Sequence, residues 1–184
     1  PFSKFEIKSD KAHQELQKIC TANIKNEPGK CIYTHMLNPD GGIEADLTVV
    51  CIEKNHFRII SSAATRERDK FHIKKYLSKD IEVKDITDDL CVFGLFGPKS
   101  RELIKTISKD NFENDNFKFG TAKNITIQGT NIWAQRLSYV GELGYELYVD
   151  FKDAKNIFEL IIDKGKNFNL SNCGMHAMDI MRME

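Results

Sequence analysis

Neither sign of charge dominates this chain: Lys and Arg together number 27 and Asp and Glu number 27 in 184 residues. That balance removes the electrostatic footprint of an extended grip on nucleic acid or anionic lipid. No apolar run approaches the roughly 18 residues of a membrane-spanning helix, so no membrane partner is expected. The 5 cysteines and 5 histidines form no C-x-x-C pair, no H-E-x-x-H and no zinc-like spacing, so a metal site is not expected. There is no G-x-G-x-x-G and hence no dinucleotide or flavin fingerprint, and neither a G-x-S-x-G elbow nor a recognisable cysteine-nucleophile context. Low-complexity segments and a legible internal repeat are also missing. Metal-free, non-covalent chemistry is what remains.

One stretch approaches a phosphate loop. Gly94-Leu-Phe-Gly97-Pro98-Lys99-Ser100 follows a strand pattern and opens a helix. Its spacing is shorter than G-x-x-x-x-G-K-[ST], and Pro98 removes a backbone donor that would cradle phosphate. It reads as a strand-to-helix turn, with Pro98 suited to the first helical position.

What is present is ordinary for a globular protein: 41% hydrophobic and 29% charged residues, in a chain long enough for one large domain or two small lobes. Four of the five cysteines (20, 31, 51, 91 and 173) fall at apolar-patterned or strand-like positions. Reduced core thiols are expected, and so a reducing compartment, the cytoplasm or a mitochondrial matrix. The start Pro1-Phe2-Ser3-Lys4 resembles neither a signal peptide nor an initiator Met, and the end at Glu184 falls inside a helical pattern. The expectation is a piece of a longer protein.

Period-2 alternation marks strands around Phe5 and Ile7 and over Cys31–Leu37, His56–Ser62, Ile81–Ile86, Leu90–Phe96, Asn124–Gln128, Asn131–Tyr139 and Tyr145–Val149. Helical stripes run through Ala12, Leu16, Ile19 and Cys20, through Leu103, Ile104 and Ile107, and through Ala154, Ile157, Phe158 and Ile161, with a last helix from Met175. The charged helix Thr65–Leu77 draws its buried side from Phe71, Tyr76 and Leu77, and its run Arg66-Glu-Arg-Asp-Lys70 is expected on a solvated face. Ser108–Lys118 is Asn- and Asp-rich and reads as an exposed loop. Short antiparallel strands interspersed with helices give an α+β class: antiparallel sheets with flanking helices, not a doubly wound sheet. The two lobes, where they exist, would interleave, roughly 21–86 against 1–20 plus 87–184.

Two stretches carry candidate chemistry. In Asn38-Pro-Asp-Gly-Gly-Ile-Glu-Ala-Asp46-Leu-Thr-Val-Val-Cys-Ile52, a turn feeds an alternating strand. Ile43, Ala45, Leu47, Val49 and Cys51 share one face, and Glu44, Asp46, Thr48, Val50 and Ile52 share the other. Asp46 then points into water or sits on the floor of a site, and His35 on the preceding strand can approach the same face. In Arg136-Leu-Ser-Tyr139-Val-Gly141-Glu142-Leu-Gly144-Tyr145-Glu146-Leu-Tyr148, two glycines three apart mark a tight connection where backbone can approach a ligand. Glu146 and Tyr148 share a face, and a Glu there needs a partner if that face is covered.

Together these stretches resemble the glycine-cleavage T-protein (aminomethyltransferase) family, and within it the folate-binding half of dimethylglycine and sarcosine dehydrogenases. Supporting signatures are Phe2-Ser-Lys-Phe-Glu6, Cys31-Ile-Tyr33-Thr-His-Met-Leu-Asn38, Gly94-Leu-Phe-Gly97-Pro98 and Ala177-Met-Asp-Ile-Met-Arg182-Met-Glu184. Ala45 replaces the first acid of the G-G-x-x-D-D-L pattern of T-proteins proper, and Gly141-Glu-Leu-Gly-Tyr-Glu-Leu147 follows the dehydrogenase branch.

The resemblance implies an aminomethyltransferase-like folate-binding fold without its C-terminal barrel, and a tetrahydrofolate site. Asp46 matches the carboxylate near the folate nitrogen that attacks the one-carbon unit, as a proton acceptor or an electrostatic stabiliser. Tyr139 and Glu146 match pterin contacts, and Tyr33 matches a position lining the same pocket. Ser62 falls where some T-proteins carry an Asn, so that contact is not transferred. The partners implied are folate and a methylated amine, the product being 5,10-methylenetetrahydrofolate. FAD would belong to a part of the parent chain outside this one. The alternatives are a T-protein aminomethyltransferase, a folate-dependent demethylase, and a non-catalytic folate-fold regulator. On the main reading Asp46, Tyr139 and Glu146 line one cavity, with Glu146 deeper than Asp46.

Overall fold

The computed structural model describes residues 2–184, in two compact units, Pro1–Thr87 and Asp88–Glu184. The first unit runs β1 (Phe2–Lys8), α1 (Ala12–Ile19), β2 (Cys31–Leu37), β3 (Ile43–Glu53), β4 (His56–Ser62), α2 (Arg66–Tyr76) and β5 (Val83–Asp85). Its strands form one antiparallel sheet in the order β2-β3-β4-β1-β5. Alternation decides the faces. Phe5 and Ile7, Leu47 and Val49, and Phe57 and Ile59 point to the side where Ala12 and Leu16 of α1 and Ile73 of α2 cover them. Asp46 and Thr48 therefore face the other way.

The β2–β3 connection is built by a side chain. Asn38 Oδ1 accepts from the backbone N–H groups of Asp40 at 3.0 Å and Gly42 at 2.8 Å, an Asx arrangement that closes the turn locally. Gly41, at φ +83°, supplies the left-handed residue the turn requires.

The unit boundary corrects one expectation. Residues 1–20 belong with 21–87, not with 87–184, because β1 pairs with β4 from Phe2↔Ser62 to Lys8↔His56 and with β5 from Phe5↔Asp85 to Ile7↔Val83. A strand lodged mid-sheet cannot leave for another lobe without opening two ladders.

Helix α2 corrects two more. Leu77 is buried and Tyr76 packs against the core as expected, but Phe71 is 68% exposed and Asp69, His72 and Ile73 complete the buried side. Within the charged run Glu67 and Arg68 lie on the solvated face expected, while Arg66, Asp69 and Lys70 form a clasp. Arg66 Nε and Lys70 Nζ donate to Asp85 Oδ2 of β5 at 2.9 and 3.2 Å, and Thr65 Oγ1 donates to the buried Asp69 at 2.7 Å.

The second unit runs β6 (Leu90–Phe96), α3 (Ser100–Ile107), β7 (Thr121–Ile127), β8 (Thr130–Arg136), β9 (Gly144–Asp150), α4 (Phe151–Gly165) and α5 (Met175–Met183). Its sheet is antiparallel in the order β6-β9-β8-β7. Leu95, Ile125, Ile127, Ile132, Ala134, Tyr145, Leu147 and Val149 pack under Leu103 and Ile104 of α3 and Ile157 and Ile161 of α4. Residues 108–118 are not simply exposed. Phe112 and Phe117 are fully buried against Tyr145, with ring centroids 5.6 and 5.7 Å from it. The polar residues between them hid two core anchors.

The two units repeat one plan. Strand, helix, three strands and helix follow in that order in each, and β2-β3-β4-β1 in the first corresponds to β7-β8-β9-β6 in the second. No sequence repeat announces this, because what recurs is the alternation of burial and not the residues that carry it.

Candidate functional site

In the first unit the outer face of the β2–β3 pair gathers three expected or suspected residues. Tyr33, His35 and Asp46 come together because β2 and β3 pair with Tyr33 opposite Thr48 and His35 opposite Asp46. The Tyr33 hydroxyl donates to Asp46 Oδ2 at 3.2 Å, and the Tyr33 and His35 rings meet edge to face with centroids 5.4 Å apart. Asp46 and Tyr33 are exposed, Tyr33 by 56%, and His35 is half-buried. An accessible carboxylate held by a phenol beside an imidazole can accept a proton or stabilise positive charge.

In the second unit Glu146 sits mid-strand on β9, with Gly94 of β6 opposite on one side and Gln135 of β8 opposite on the other. These three lie on the sheet face away from the helices, since their neighbours Leu95, Ala134, Tyr145 and Leu147 fill the core. The row has a gradient. Gly94 is exposed, Glu146 half-buried and Gln135 fully buried. Tyr148, 2% exposed, donates its hydroxyl to Glu146 Oε2 at 2.9 Å. Burial pushes the Glu146 carboxyl above the usual carboxylate range, against the pull of that hydroxyl. A carboxylate in this setting gains from any ligand that brings N–H donors.

Tyr139 is not in this row. It belongs to the connection between β8 and β9, where its hydroxyl donates to Asp179 Oδ1 of α5 at 3.4 Å and the Arg182 guanidinium lies 4.8 Å above its ring. The two glycines of that connection do different work from that expected. Gly141, at φ +75°, allows the turn. A Cβ on Gly144 would stand 2.4 Å from the Phe96 ring and 2.9 Å from the Leu137 carbonyl, so Phe96, not a ligand, fills its space. Gly94 carries the other part of the Phe96 ring, 2.6 Å from where its Cβ would be. The suspected phosphate loop is the turn expected: Gly97 N–H and the Ser100 hydroxyl both bond to the Leu143 carbonyl, at 2.8 and 3.2 Å. Helix α3 starts at Ser100, two residues after Pro98.

Along the free edge of β6 runs an apolar groove of about 290 Å³, walled by Val92, Phe96, Val140, Phe158, Met178 and Met181. Phe158, expected in the core stripe of α4, packs on Phe93 at its rim, with ring centroids 5.7 Å apart. Among the described residues no His, Cys, Asp and Glu cluster could hold a metal ion. Gln135 escaped the sequence reading, and Gly94 entered it only within a turn and a family signature. The signal for Gln135 was its place in Trp133–Gln135 alternation against the buried Ile132 and Ala134, which assigns its face but not its burial.

Residues 1–184 match the family described as the GCVT N-terminal domain. The chain belongs to that family. It is 33% identical to the mitochondrial dimethylglycine dehydrogenase of Rattus norvegicus and 33% identical to the formaldehyde-forming 4-methylaminobutanoate oxidase of Paenarthrobacter nicotinovorans. In both the match takes in 100% of this chain and 22% of the relative. It is 31% identical to an aminomethyltransferase of Halothermothrix orenii over 94% of this chain and 48% of that protein. The chain thus spans about a fifth of the first two relatives and about half of the third. Among solved structures, the glycine cleavage system aminomethyltransferase T of Bartonella henselae superposes with a TM-score of 0.83 at 18% identity, over 99% of this chain and 48% of that one. Heterotetrameric sarcosine oxidase from Corynebacterium gives 0.70 at 12% identity, over 94% and 84%. These likenesses establish the α+β aminomethyltransferase fold. No helix among the described residues is long and apolar enough to cross a membrane.

Proposed function

We propose that this GCVT domain binds tetrahydrofolate and captures, as 5,10-methylenetetrahydrofolate, the one-carbon unit of an N-methyl amine once a flavin outside this chain has oxidised it to the iminium or formaldehyde level. One observation carries the reading. Glu146 is a half-buried carboxylate whose ionised form is disfavoured by burial, beside a strand position, Gly94, that has no side chain and is exposed. The donor set fits a pterin, which presents an N–H and a neighbouring amino group to one carboxylate. When bound, tetrahydrofolate would supply two nucleophilic nitrogens, N5 of the ring and the exocyclic N10.

Each residue then has a defined task. Glu146 accepts the paired N–H donors, and Tyr148 holds its Oε2 in place. Tyr33 fixes Oδ2 of Asp46, which keeps the carboxylate oriented to accept a proton or to stabilise positive charge. Tyr139, steadied by Asp179 and Arg182, offers a ring face for packing. The relatives' names support a methylated amine as donor, and Ala45 beside Asp46 favours the dehydrogenase branch over a T-protein.

The test is a calorimetric titration of the full-length protein with tetrahydrofolate, together with a methylene-transfer assay. Losing a hydrogen bond to a charged group costs about 1.5–3 kcal/mol. Glu146→Gln is therefore expected to weaken binding by about 10- to 100-fold. Asp46→Asn is expected to keep binding and lose transfer. If wild type gives no heat, or neither variant changes anything, the proposal fails. Transfer only from an aminomethyl-lipoyl carrier, and not from a methylated amine, would instead favour the T-protein reaction.

A further inference from the structure

Gln135 is fully buried, and neither Nε2 nor Oε1 of its side chain has a hydrogen-bond partner among the described residues. Buried amide groups in folded proteins are almost always paired, since leaving them bare is strongly disfavoured. Such an orphan asks for a partner that is not part of the unliganded chain. Two residues earlier on the same face, the Trp133 Nε1–H is buried and unpartnered as well.

Position supplies the second half of the argument. Gln135 stands directly across the β8–β9 ladder from Glu146, which in turn stands across from the exposed Gly94. Neighbouring strands lie about 4.8 Å apart, so the row Gly94–Glu146–Gln135 is about 10 Å long. That is the scale of a fused two-ring heterocycle laid across three strands. Gly94 at one end is exposed and Gln135 at the other is fully buried. The chemistry of the row is complementary, because a carboxylate only accepts whereas an amide both donates and accepts. On either side of the donor pair that Glu146 would take, the pterin ring carries acceptors, its 4-oxo oxygen and N1. A carboxylate cannot serve these; an amide N–H can.

Building on the folate reading above, we propose that Gln135 is a second binding residue for the pterin, donating from Nε2 to a ring acceptor that flanks the edge held by Glu146. In the free chain its amide is an unspent donor and acceptor, and occupation of the row satisfies it. Gln135 thus contributes to ligand affinity at the expense of stability of the empty fold.

The experiment compares tetrahydrofolate binding by the full-length wild type, Gln135→Met, Gln135→Leu and Glu146→Gln, using titration calorimetry, with thermal unfolding of each without ligand. Gln135→Met keeps the shape and removes both polar atoms. It is expected to weaken binding tenfold or more and to leave the Tm of the empty protein unchanged or higher. Gln135→Leu is expected to do the same, so the proposal does not hang on one variant folding. If both Gln135 variants bind within twofold of wild type while Glu146→Gln loses binding, the role of Gln135 is refuted and the folate reading stands. Normal binding with a lowered Tm refutes that role equally, since it marks a purely structural amide. If wild type itself does not bind, the folate reading falls and takes this proposal with it.

Discussion

Replacing Tyr148 with Phe deletes one oxygen, and the ladder shows what that oxygen holds. Its hydroxyl donates to Glu146 Oε2 at 2.9 Å, on a side chain only 2% exposed. Burial already raises the pKa of Glu146, and the phenol is the group that pulls it back. Without it the ionised form loses a charge-assisted bond of about 1.5–3 kcal/mol, and the neutral form loses an ordinary one of about 0.5–1.5 kcal/mol. The ionised form loses more than the neutral one, so the pKa of Glu146 rises further. The sign of the pH dependence follows. A carboxyl raised on folding holds its proton longer in the native state, so stability falls as pH rises from the unfolded value of 4.5 through the higher folded value. Tyr148→Phe should therefore cost more at pH 7 than at pH 4. A double-mutant cycle isolates the pair: in the Glu146→Gln background the same substitution should cost about 1 kcal/mol less at pH 7. Urea denaturation read by Trp133, the chain's single Trp, which lies across the ladder from Tyr148, measures it. A coupling indistinguishable from zero at pH 7, or a larger cost at pH 4, would refute the reasoning.

Other consequences are local and separable. Glu15 accepts from Lys18 Nζ and from Ser78 N, and these bonds hold its carboxyl down to about 2. Its contribution is present above 4.5 and lost as pH falls through about 2, so Glu15→Gln should flatten the acid limb of a stability–pH curve. Asp85, one-tenth exposed, is held below the usual carboxylate range against its own burial by Arg66, Thr87 and Lys70. Asp85→Ala should destabilise the first unit by about 3 kcal/mol in denaturant titration. Gly94→Ala meets only the Phe96 ring and should cost about 1–3 kcal/mol, restored when Phe96→Leu is added. Gly144→Ala also meets the Leu137 carbonyl, and the same second change should rescue it only in part. Burial pushes the Cys20 and Cys51 thiols up to about 12 and about 11. Alkylation of the native chain should label exposed Cys173 first and leave Cys20, Cys31 and Cys51 until unfolding, a pattern mass spectrometry reads directly.

Alternation carried most of the fold. The faces of β3 and β9 follow from the apolar positions alone, which is why the core of each unit was legible down to Leu47, Val49, Tyr145 and Leu147. Pairings between distant strands are not local and were not legible. No pattern in residues 1–20 shows that β1 will lodge between β4 and β5. Composition misled where polar residues surround an anchor, at Phe112 and Phe117, and where a charged run closes on a partner further along the chain, at Arg66 and Lys70. The candidate site divides the same way. Glu146 with Tyr148, and Asp46 on the outer face of β3, were readable as face partners by period 2. The apposition of Gln135 and Glu146 required the β8–β9 register, which depends on how the connection 137–143 folds.

That register also explains why the polar row belongs on the second sheet's outer face and nowhere else in its unit. The helix-covered face is packed by aliphatic and aromatic side chains from all four strands, and a carboxylate or amide there would be surrounded by groups that cannot pair with it. On the other face, β6 contributes Gly94 and β9 contributes Glu146, so the edge strand adds no polar group of its own and the next supplies the charge. Moving Glu146 by one residue along β9 would place it at Tyr145 or Leu147, inside the core, and period 2 makes any such slip all-or-none. The ladder thus fixes Glu146, Tyr148 and Gln135 together. A substitution that shifted the register, such as a residue inserted in the 137–143 connection, should abolish ligand binding together with the Glu146–Tyr148 coupling. Loss of one without the other would show that the row does not act as a unit.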